Sequence, residues 1–311
     1  MRGALLNGIL PLYKPRGMTS FDCVAKIRKL YQTRKVGHSG TLDPNVDGVL
    51  PICIGNATKV VQFLVASGKQ YQGSITLGFA TTTEDLDGDT VEQAAITRPF
   101  TTAEIDAGLA ALTGAITQIP PMFSAVKVNG RRLYDYARHG ETVERPQRHV
   151  TITSFIQRQA ATYDPQRQTQ TIYFTVACSK GTYVRTLAVD LGKQLGVPAV
   201  MSDLTRLKSG GFTLADTVTF EEIEAHVAAQ TEADLLAPID RALTQYPQVT
   251  LTDAQWAKVK NGVWLTKDEG QQAAPDENTV LALVYQNSIK CLYSYRPNEQ
   301  RYKPLKMFAV N

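Results

Sequence analysis

The sequence predicts an α+β fold followed by a small β-barrel module. Two segments, YQGSITLGF (71–79) and TIYFTVACS (171–179), are rich in strand-forming residues. Other segments space their apolar residues as helices do, and 180–196 is the clearest of them. Residues 246–311 combine a short helical segment with short alternating strands, which is typical of a small barrel.

The composition is that of an ordinary folded protein. The 311 residues are 43% hydrophobic and 20% charged, and no apolar run reaches the roughly 18 residues that a membrane helix needs. The first residues, MRGALLNGILPLYKP, lack the cleavage site of a secretion signal. The cysteines are Cys23, Cys53, Cys178 and Cys291. Because no two of them form a C-x-x-C pair, we expect reduced thiols in a cytoplasmic protein, and no metal site.

The first helix is predicted to begin at Ser20, a residue type that caps helices well. Val24, Ile27 and Tyr31 then fall on one helical face. The polar face of the same helix carries mostly Lys and Arg. A basic amphipathic helix is therefore expected before the next loop.

The segment GHSGTLDPNVDGVL (37–50) concentrates reactive side chains in a glycine-rich loop. Pro44 biases Asp43 away from the helical region, so this carboxylate is expected on irregular backbone. Asp47 follows four residues later, and two carboxylates are what a glycosidase uses. The alternative is that Asp47 only satisfies a turn before the next glycine. His38 is a candidate base, a stacking platform or a brace for the loop.

Residues 118–152 are predicted to form an arm that leaves the body of the protein. Asn129-Gly130 lies between a Val-rich and an Arg-rich segment, which indicates a β-hairpin. A basic segment with Tyr134 and Tyr136 follows before the chain returns to a strand. Length, charge and aromatic content suit an arm that grips a partner.

A second amphipathic helix is predicted within KGTYVRTLAVDLGKQLG (180–196), with Val184, Leu187, Leu191 and Leu195 facing inward. Arg185 stands at its start, directly after a strand. It is either a surface arginine or the partner of a buried carboxylate, whose pKa it would lower by roughly 1–3 units.

Pro238 and Pro247 bracket the predicted domain boundary. We therefore expect a main domain over 1–245 and the small module over 246–311. Thr252 is expected to cap the short helix at the start of the module.

Two basic clusters flank the 37–50 loop in sequence. Residues 1–41 carry eight basic side chains against one acidic residue, and residues 127–148 carry six against three. Either cluster alone is also consistent with solvated helix faces. Together, around a loop poor in acidic residues, they indicate a polyanionic partner.

Six blocks of the sequence resemble, in order, the signatures of the TruB-type pseudouridine synthases, most closely the bacterial members. The longest block is GHSGTLDPNVDGVLPICIGNATK (37–59). The others are KPRGMTS (14–20), KQYQGSITLG (69–78), PPMFSAVKVNGRRLYDYARHGETVERPQR (120–148), KGTYVRTLAVDLG (180–192) and LTRL (204–207). Ser39 stands where this family more often has Thr, and Asn45-Val46-Asp47 also depart from its pattern. We expect these departures to alter loop packing and not the chemistry.

The resemblance implies that uridine 55 in the T-loop of tRNA is isomerised to pseudouridine without a cofactor. Uracil is detached from C1′, turned, and rejoined through C5. Asp43 matches the nucleophilic aspartate of the family. It attacks C1′ or the base, or takes a proton from C2′ to give a glycal, and the sequence leaves these alternatives open. Water has to be excluded, because otherwise the detached base would be lost.

The resemblance also implies roles for other residues. Tyr71 matches a catalytic tyrosine that stacks on the base and moves a proton, and Arg185 matches the arginine paired with Asp43. The substrate-binding positions are His38, Tyr71, Tyr183, Leu204 and Lys14. The RNA-binding positions are Arg131, Arg132, Arg138, Arg145 and Arg148.

The family fold is a mixed, mainly antiparallel central sheet flanked by helices. An RNA-gripping insertion is expected at about 120–148, and a PUA-like domain over 246–311 would touch the acceptor-stem end. The expected partner is tRNA, through its T-arm, elbow and acceptor-stem end. A monomer without an obligate protein partner and without a membrane association is expected.

Three alternatives remain. A tRNA-binding or tRNA-folding protein without turnover would use the basic clusters alone. A hydrolase would use Asp43 with Asp47 and release free base or sugar. A guide-RNA-dependent synthase of the same family is disfavoured, because the C-terminal module lacks long basic tails.

Overall fold

The computed structural model describes residues 6–271 and 274–308. The helices are α1 (Ser20–Leu30), α2 (Val61–Ala66), α3 (Thr102–Ala111), α4 (Leu133–Arg138), α5 (Val184–Leu195), α6 (Phe220–Ala228) and α7 (Asp253–Val259). The strands of the first 245 residues are β1 (Gly8–Lys14), β2 (Val36–His38), β3 (Asp47–Ile54), β4 (Lys69–Leu77), β5 (Phe79–Thr81), β6 (Thr90–Gln93), β7 (Gly114–Gln118), β8 (Lys127–Val128), β9 (Arg131–Arg132), β10 (Arg148–Asp164), β11 (Thr169–Cys178), β12 (Ala199–Ser209) and β13 (Phe212–Thr213). The later strands are β14 (Gln248–Thr250), β15 (Leu265–Thr266), β16 (Val280–Tyr285), β17 (Ser288–Arg296) and β18 (Arg301–Met307).

A nine-stranded sheet forms the centre of the protein. Its order is β1-β3-β12-β4-β11-β10-β7, with β2 paired to β3 and β13 paired to β12. Neighbouring strands run antiparallel except β3 and β12, which are parallel at Asp47–Thr205 and Gly48–Arg206. The expected mixed, mainly antiparallel sheet flanked by helices is therefore confirmed.

Helices cover the sheet in two groups. Helices α3 and α5 pack on β4, β10, β11 and β12 in one hydrophobic cluster, to which Leu187 and Leu191 contribute fully buried side chains. Helices α1 and α6 pack on β1 and β3 in another cluster. The inward spacing predicted for α5 is confirmed: Val184, Leu187 and Leu191 are buried, and Leu195 is partly buried against the same cluster.

The N-cap prediction for α1 is wrong by one residue. Thr19 caps the helix, and its hydroxyl accepts a hydrogen bond from the Asp22 amide at 3.0 Å. Ser20 instead turns its hydroxyl toward Leu42, whose amide donates to it at 2.9 Å. The serine therefore links the start of α1 to the 37–50 loop.

The predicted hairpin is present at Asn129-Gly130. Strands β8 and β9 pair across it, and both turn residues have positive φ, 51° and 83°. This geometry is what an Asn-Gly turn favours. Leu133 and Tyr136 of the following helix α4 are buried.

The C-terminal strands form a separate sheet in the order β14-β16-β17-β18-β15, curled into a half-barrel. Thr252 caps α7 as expected, with Gln255 completing the capping box. Aromatic contacts join this module to the main body: the Phe63 ring lies 5.9 Å from that of Tyr246 and 6.0 Å from that of Phe308. The division at residue 245 stays a prediction. Within the described residues, no helix is both long and apolar enough to cross a membrane.

Candidate active site

The 37–50 loop connects β2 to β3 and passes close to β12. Gly48 lies at the start of β3 with a φ of 110°. A Cβ at this position would collide with the backbone of Arg206. A glycine is therefore required where the parallel strands β3 and β12 approach each other.

Two buried cations grip the backbone of this loop. Lys14 is completely buried, and its ammonium donates to the carbonyls of Pro44 at 3.1 Å and Val46 at 2.6 Å. Arg206 is 1% exposed and donates to the carbonyls of Gly40 at 3.2 Å and Val49 at 2.8 Å. Burial lowers the pKa of both groups below their usual ranges. The two side chains hold the segments before and after Asp43 without using any side chain of the loop.

Asp43 pairs with Arg185, which reaches it from the first turn of α5. The Arg185 Nε lies 3.1 Å from Asp43 Oδ2, and Nη2 donates to Oδ1 at 3.4 Å. The guanidinium is only 7% exposed, whereas the carboxylate is 39% exposed. Arg185 also donates to the carbonyls of Thr83 and Phe123, each at 2.9 Å. This arrangement fixes the guanidinium and leaves one side of the Asp43 carboxylate open.

The pKa of Asp43 differs from the sequence-based expectation. Burial raises it, Arg185 lowers it, and the nearby carboxylates Asp85 and Asp87 raise it further. The contribution of Arg185 has the expected direction, but burial, the largest cause, outweighs it, so the net pKa lies above the usual range of an aspartate. Arg185 is also shared, since its Nε lies 3.7 Å from Asp85 Oδ2.

A cavity of about 140 Å³ opens beside Asp43. The structure brings five of the sequence-predicted residues together on its walls. They are Asp43, Tyr71, Tyr183, Arg185 and Leu204. The remaining lining is largely apolar, including Val46 and Met201. A small cavity with one carboxylate, one guanidinium, two phenols and otherwise largely apolar walls suits a planar polar ring.

Tyr71 lies on β4 directly opposite Arg206 of β12. Its side chain is buried, and burial raises the pKa of its hydroxyl. The positive charge of Arg206 acts in the opposite direction. Tyr71 is therefore a neutral phenol beside a fixed positive charge.

Two predicted residues do not line this cavity. His38 ends β2, and its Nδ1 accepts a hydrogen bond from the Gly40 amide at 3.3 Å. Burial lowers the pKa of His38. Since Nδ1 is an acceptor, the proton of the neutral ring lies on Nε2. Lys14 lies beneath the loop, as described above, and contacts its backbone.

Asp47 faces away from the cavity. Its carboxylate accepts from Tyr13 at 2.8 Å, from Thr205 at 2.6 Å and from Arg16 at 3.3 Å. Burial raises its pKa, but these hydrogen bonds outweigh burial and hold the pKa below the usual range. The carboxylate ties β1, β3 and β12 together and does not form a catalytic pair with Asp43.

Sequence reasoning missed Arg206 and Asp85. Arg206 is the third residue of the LTRL block. The available signal was a single cation in an otherwise uncharged block. Asp85 had no such signal, because it meets Arg185 only through folding. In the part of the chain that the structure describes, no cluster of three or more His, Cys, Asp or Glu side chains is arranged to hold a metal ion.

The arginines of the arm differ in their contacts. Arg131 pairs with Glu141 at 2.9 Å and lies over the Tyr136 ring. Arg132 and Arg138 both lie near the Tyr134 ring, at 5.6 and 5.2 Å from its centroid. The remaining two arginines frame the base of the arm. Arg145 donates to the Pro120 carbonyl, and Arg148 begins β10.

Known proteins resemble this chain both in sequence and in fold. Residues 28–184 match the family model of the TruB family pseudouridylate synthase (N terminal domain), and residues 185–244 match that of the tRNA pseudouridylate synthase B C-terminal domain. The chain is 82% identical over 307 residues to tRNA pseudouridine synthase B of Lactiplantibacillus plantarum, covering 99% of this chain and all of that protein. It is 63% identical to the protein of the same name from Levilactobacillus brevis, covering 98% of this chain and all of the relative. Among solved structures it is similar in fold to a chain of a Cbf5-Nop10-Gar1 complex, with a TM-score of 0.72 and 24% identity over 98% of this chain and 86% of that chain.

Proposed function

The chain belongs to the TruB family of pseudouridylate synthases, and on this basis we propose that it converts uridine 55 in the T-loop of tRNA into pseudouridine. The tRNA substrate is supported by the two relatives described above, both named tRNA pseudouridine synthase B. The observation that carries the proposal is the Asp43–Arg185 pair at the wall of a small cavity that also holds Tyr71.

The reaction needs one ionised carboxylate. Asp43 attacks C1′ or the base, or removes a C2′ proton, and the N1–C1′ bond breaks with its electron pair on uracil. The uracil anion turns within the cavity and bonds to C1′ through C5. The C5 proton then leaves, and N1 takes up a proton. Because no group is added or lost overall, the reaction requires neither a cofactor nor a second carboxylate.

A uracil can enter the cavity only after it has been extruded from the stacked bases of the RNA. Extruding a nucleotide costs a few kcal/mol, which stacking and phosphate contacts offset. Tyr71, Tyr183 and Leu204 provide the contacts for the extruded uracil. We assign His38, at the rim of the loop, to the nucleotide backbone or sugar.

The binding of the rest of the tRNA is assigned to the arm and to the C-terminal module. The arm over 120–148 would hold the T-arm and elbow through its arginines. The PUA-like module over 246–311 would touch the acceptor-stem end. We further propose that the protein acts as a monomer in the cytoplasm.

Tritium release tests the proposed function. An unmodified tRNA transcript labelled with tritium at uracil C5 is mixed with the pure protein and no cofactor. We expect tritium in water and one pseudouridine that maps to position 55. Salt-sensitive binding without tritium release would favour the tRNA-binding protein without turnover, and free uracil would favour a hydrolase.

The arginines of the arm should determine the affinity for tRNA. They should not affect the rate at which bound tRNA is isomerised. We expect the double variant Arg132→Gln, Arg138→Gln to weaken tRNA binding roughly tenfold at low salt and to reduce the slope of log K against log [salt] by about 2. At saturating tRNA the rate of tritium release should stay unchanged. The measurement is a binding titration at several salt concentrations, followed by single-turnover kinetics.

The matched control is Arg167→Gln, a cation that is 83% exposed just beyond the opposite end of the long strand β10. This variant should bind tRNA as the parent protein does. Equal losses of tRNA affinity in the control and in the arm variant would show that affinity depends on net charge and not on the arm.

A further inference from the structure

Arg206 is a buried cation without a carboxylate partner. It lies in the middle of β12 and is 1% exposed. Within residues 6–271 and 274–308 it forms no ion pair, and its hydrogen bonds go to backbone carbonyls. Burying a charge without a counter-charge is costly, and carbonyl dipoles offset only part of that cost. An apolar side chain would fill this position at lower cost, so the guanidinium itself needs an explanation.

The first set of contacts of Arg206 goes to the loop that carries Asp43. Its Nε donates to the Val49 carbonyl at 2.8 Å, Nη2 to Gly40 at 3.2 Å, and Nη1 to Thr41 at 3.5 Å. These carbonyls lie before and after Asp43 in the chain. The planar guanidinium therefore fixes the path of the loop on both sides of Asp43.

The second neighbour of Arg206 is Tyr71. The two residues are directly opposite each other on the antiparallel strands β12 and β4, so their side chains leave the same face of the sheet. Both side chains are buried, and the charge of Arg206 acts on the Tyr71 hydroxyl. One side chain thus lies beside both the loop that carries Asp43 and the tyrosine that lines the cavity.

We propose that Arg206 is a positioning residue for the isomerisation, which holds the Asp43 loop and the Tyr71 side chain at a fixed separation across the uracil cavity. The inference rests on the proposed function. Asp43 and Tyr71 both act on the same extruded nucleotide, so an error in their separation would misalign one of the two groups. Misplacement by about 1 Å is enough to cost roughly 10²-fold in rate.

The test uses single-turnover tritium release with the full chain in excess over C5-labelled tRNA. We expect Arg206→Met to lower the rate constant about 10²-fold while tRNA affinity changes by less than about threefold. Arg206→Lys should recover only part of the rate, because an ammonium retains the charge but cannot bridge the loop and Tyr71 together. Lys193→Gln, which removes an exposed cation from α5, is the matched control and should leave the rate unchanged.

A double-mutant cycle with Tyr71→Phe separates positioning from general destabilisation. If Arg206 acts partly through Tyr71, the effect of Arg206→Met should be at least about fivefold smaller in the Tyr71→Phe background. If Arg206→Met lowers the rate constant by the same factor in the parent and in the Tyr71→Phe background, the link to Tyr71 is overturned. Rate constants of both Arg206 variants within threefold of the parent would overturn the proposal as a whole.

Folding is checked by thermal unfolding of each variant. If Arg206→Met does not fold, Arg206→Lys and its double variant with Tyr71→Phe carry the same test. Tritium release by the parent protein distinguishes a failure of the proposed function from a failure of the inference about Arg206. Absence of tritium release by the parent would reject the proposed function, whereas an active parent with insensitive Arg206 variants rejects only the inference.

Discussion

Asp43→Asn should abolish tritium release, with a loss of roughly 10⁴-fold or more in the single-turnover rate. The amide has the same shape as the carboxylate, but it is neither a nucleophile toward C1′ nor a base toward C2′. Its oxygen can still accept from Arg185, so the loop should keep its path. Binding of tRNA should therefore stay within a few-fold of the parent, measured by a titration under the same conditions.

Asp47→Asn is the matched control, since it makes the same chemical change four residues away. It removes a charge that accepts from Tyr13, Thr205 and Arg16. We expect the free energy of unfolding to fall by about 1–3 kcal/mol and the rate to stay within about tenfold. Survival of activity in Asp43→Asn would show that the nucleophile is misassigned. A loss of several orders of magnitude in Asp47→Asn would revive the two-carboxylate hydrolase.

Arg185→Gln should lower the rate at neutral pH by about 10²–10³-fold and move the acidic limb of the pH profile to higher pH. Asp43 has to be ionised to act, so activity is lost as pH falls through its pKa. Burial and neighbouring carboxylates already raise that pKa, and Arg185 is the nearest group that lowers it. Without the guanidinium the pKa rises further, so the deficit of the variant should shrink as pH increases.

The measurement is the single-turnover rate of tritium release from acidic to alkaline pH, for the parent and for Arg185→Gln. Lys193→Gln is again the control, because its ammonium lies on the same helix, pairs with Asp190 and is 70% exposed. An acidic limb that does not move in Arg185→Gln would exclude Arg185 as the group that keeps Asp43 ionised. A shift of equal size in the control would point to net charge instead.

Local patterns were sufficient to predict several elements. The inward face of α5, the Asn129-Gly130 turn and the Thr252 cap each depend on residues close in sequence, and all three are present. The cap of α1 was misplaced because Thr19 and Ser20 are both good capping residues. Thr19 is the cap because it forms a capping box with Asp22, whereas the hydroxyl of Ser20 bonds to Leu42.

The electrostatics of the candidate site could not be predicted in the same way. The pKa of Asp43 depends on Asp85, which reaches Arg185 through the tertiary fold. The burial of Arg206 depends on the register between β4 and β12, strands that are far apart in the chain. The residues of the cavity were identified by resemblance to a family, and the balance of charge around them required the three-dimensional arrangement.

The way in which the 37–50 loop is anchored determines which substitutions leave its anchoring intact. Lys14 and Arg206 hold the carbonyls of Gly40, Thr41, Pro44, Val46 and Val49, and a carbonyl is present whatever side chain its residue carries. Substitutions at Asn45 or Val46 therefore leave the anchors in place. The anchoring of the loop therefore does not depend on which side chains stand at Asn45 and Val46, next to the carboxylate that we propose as the nucleophile.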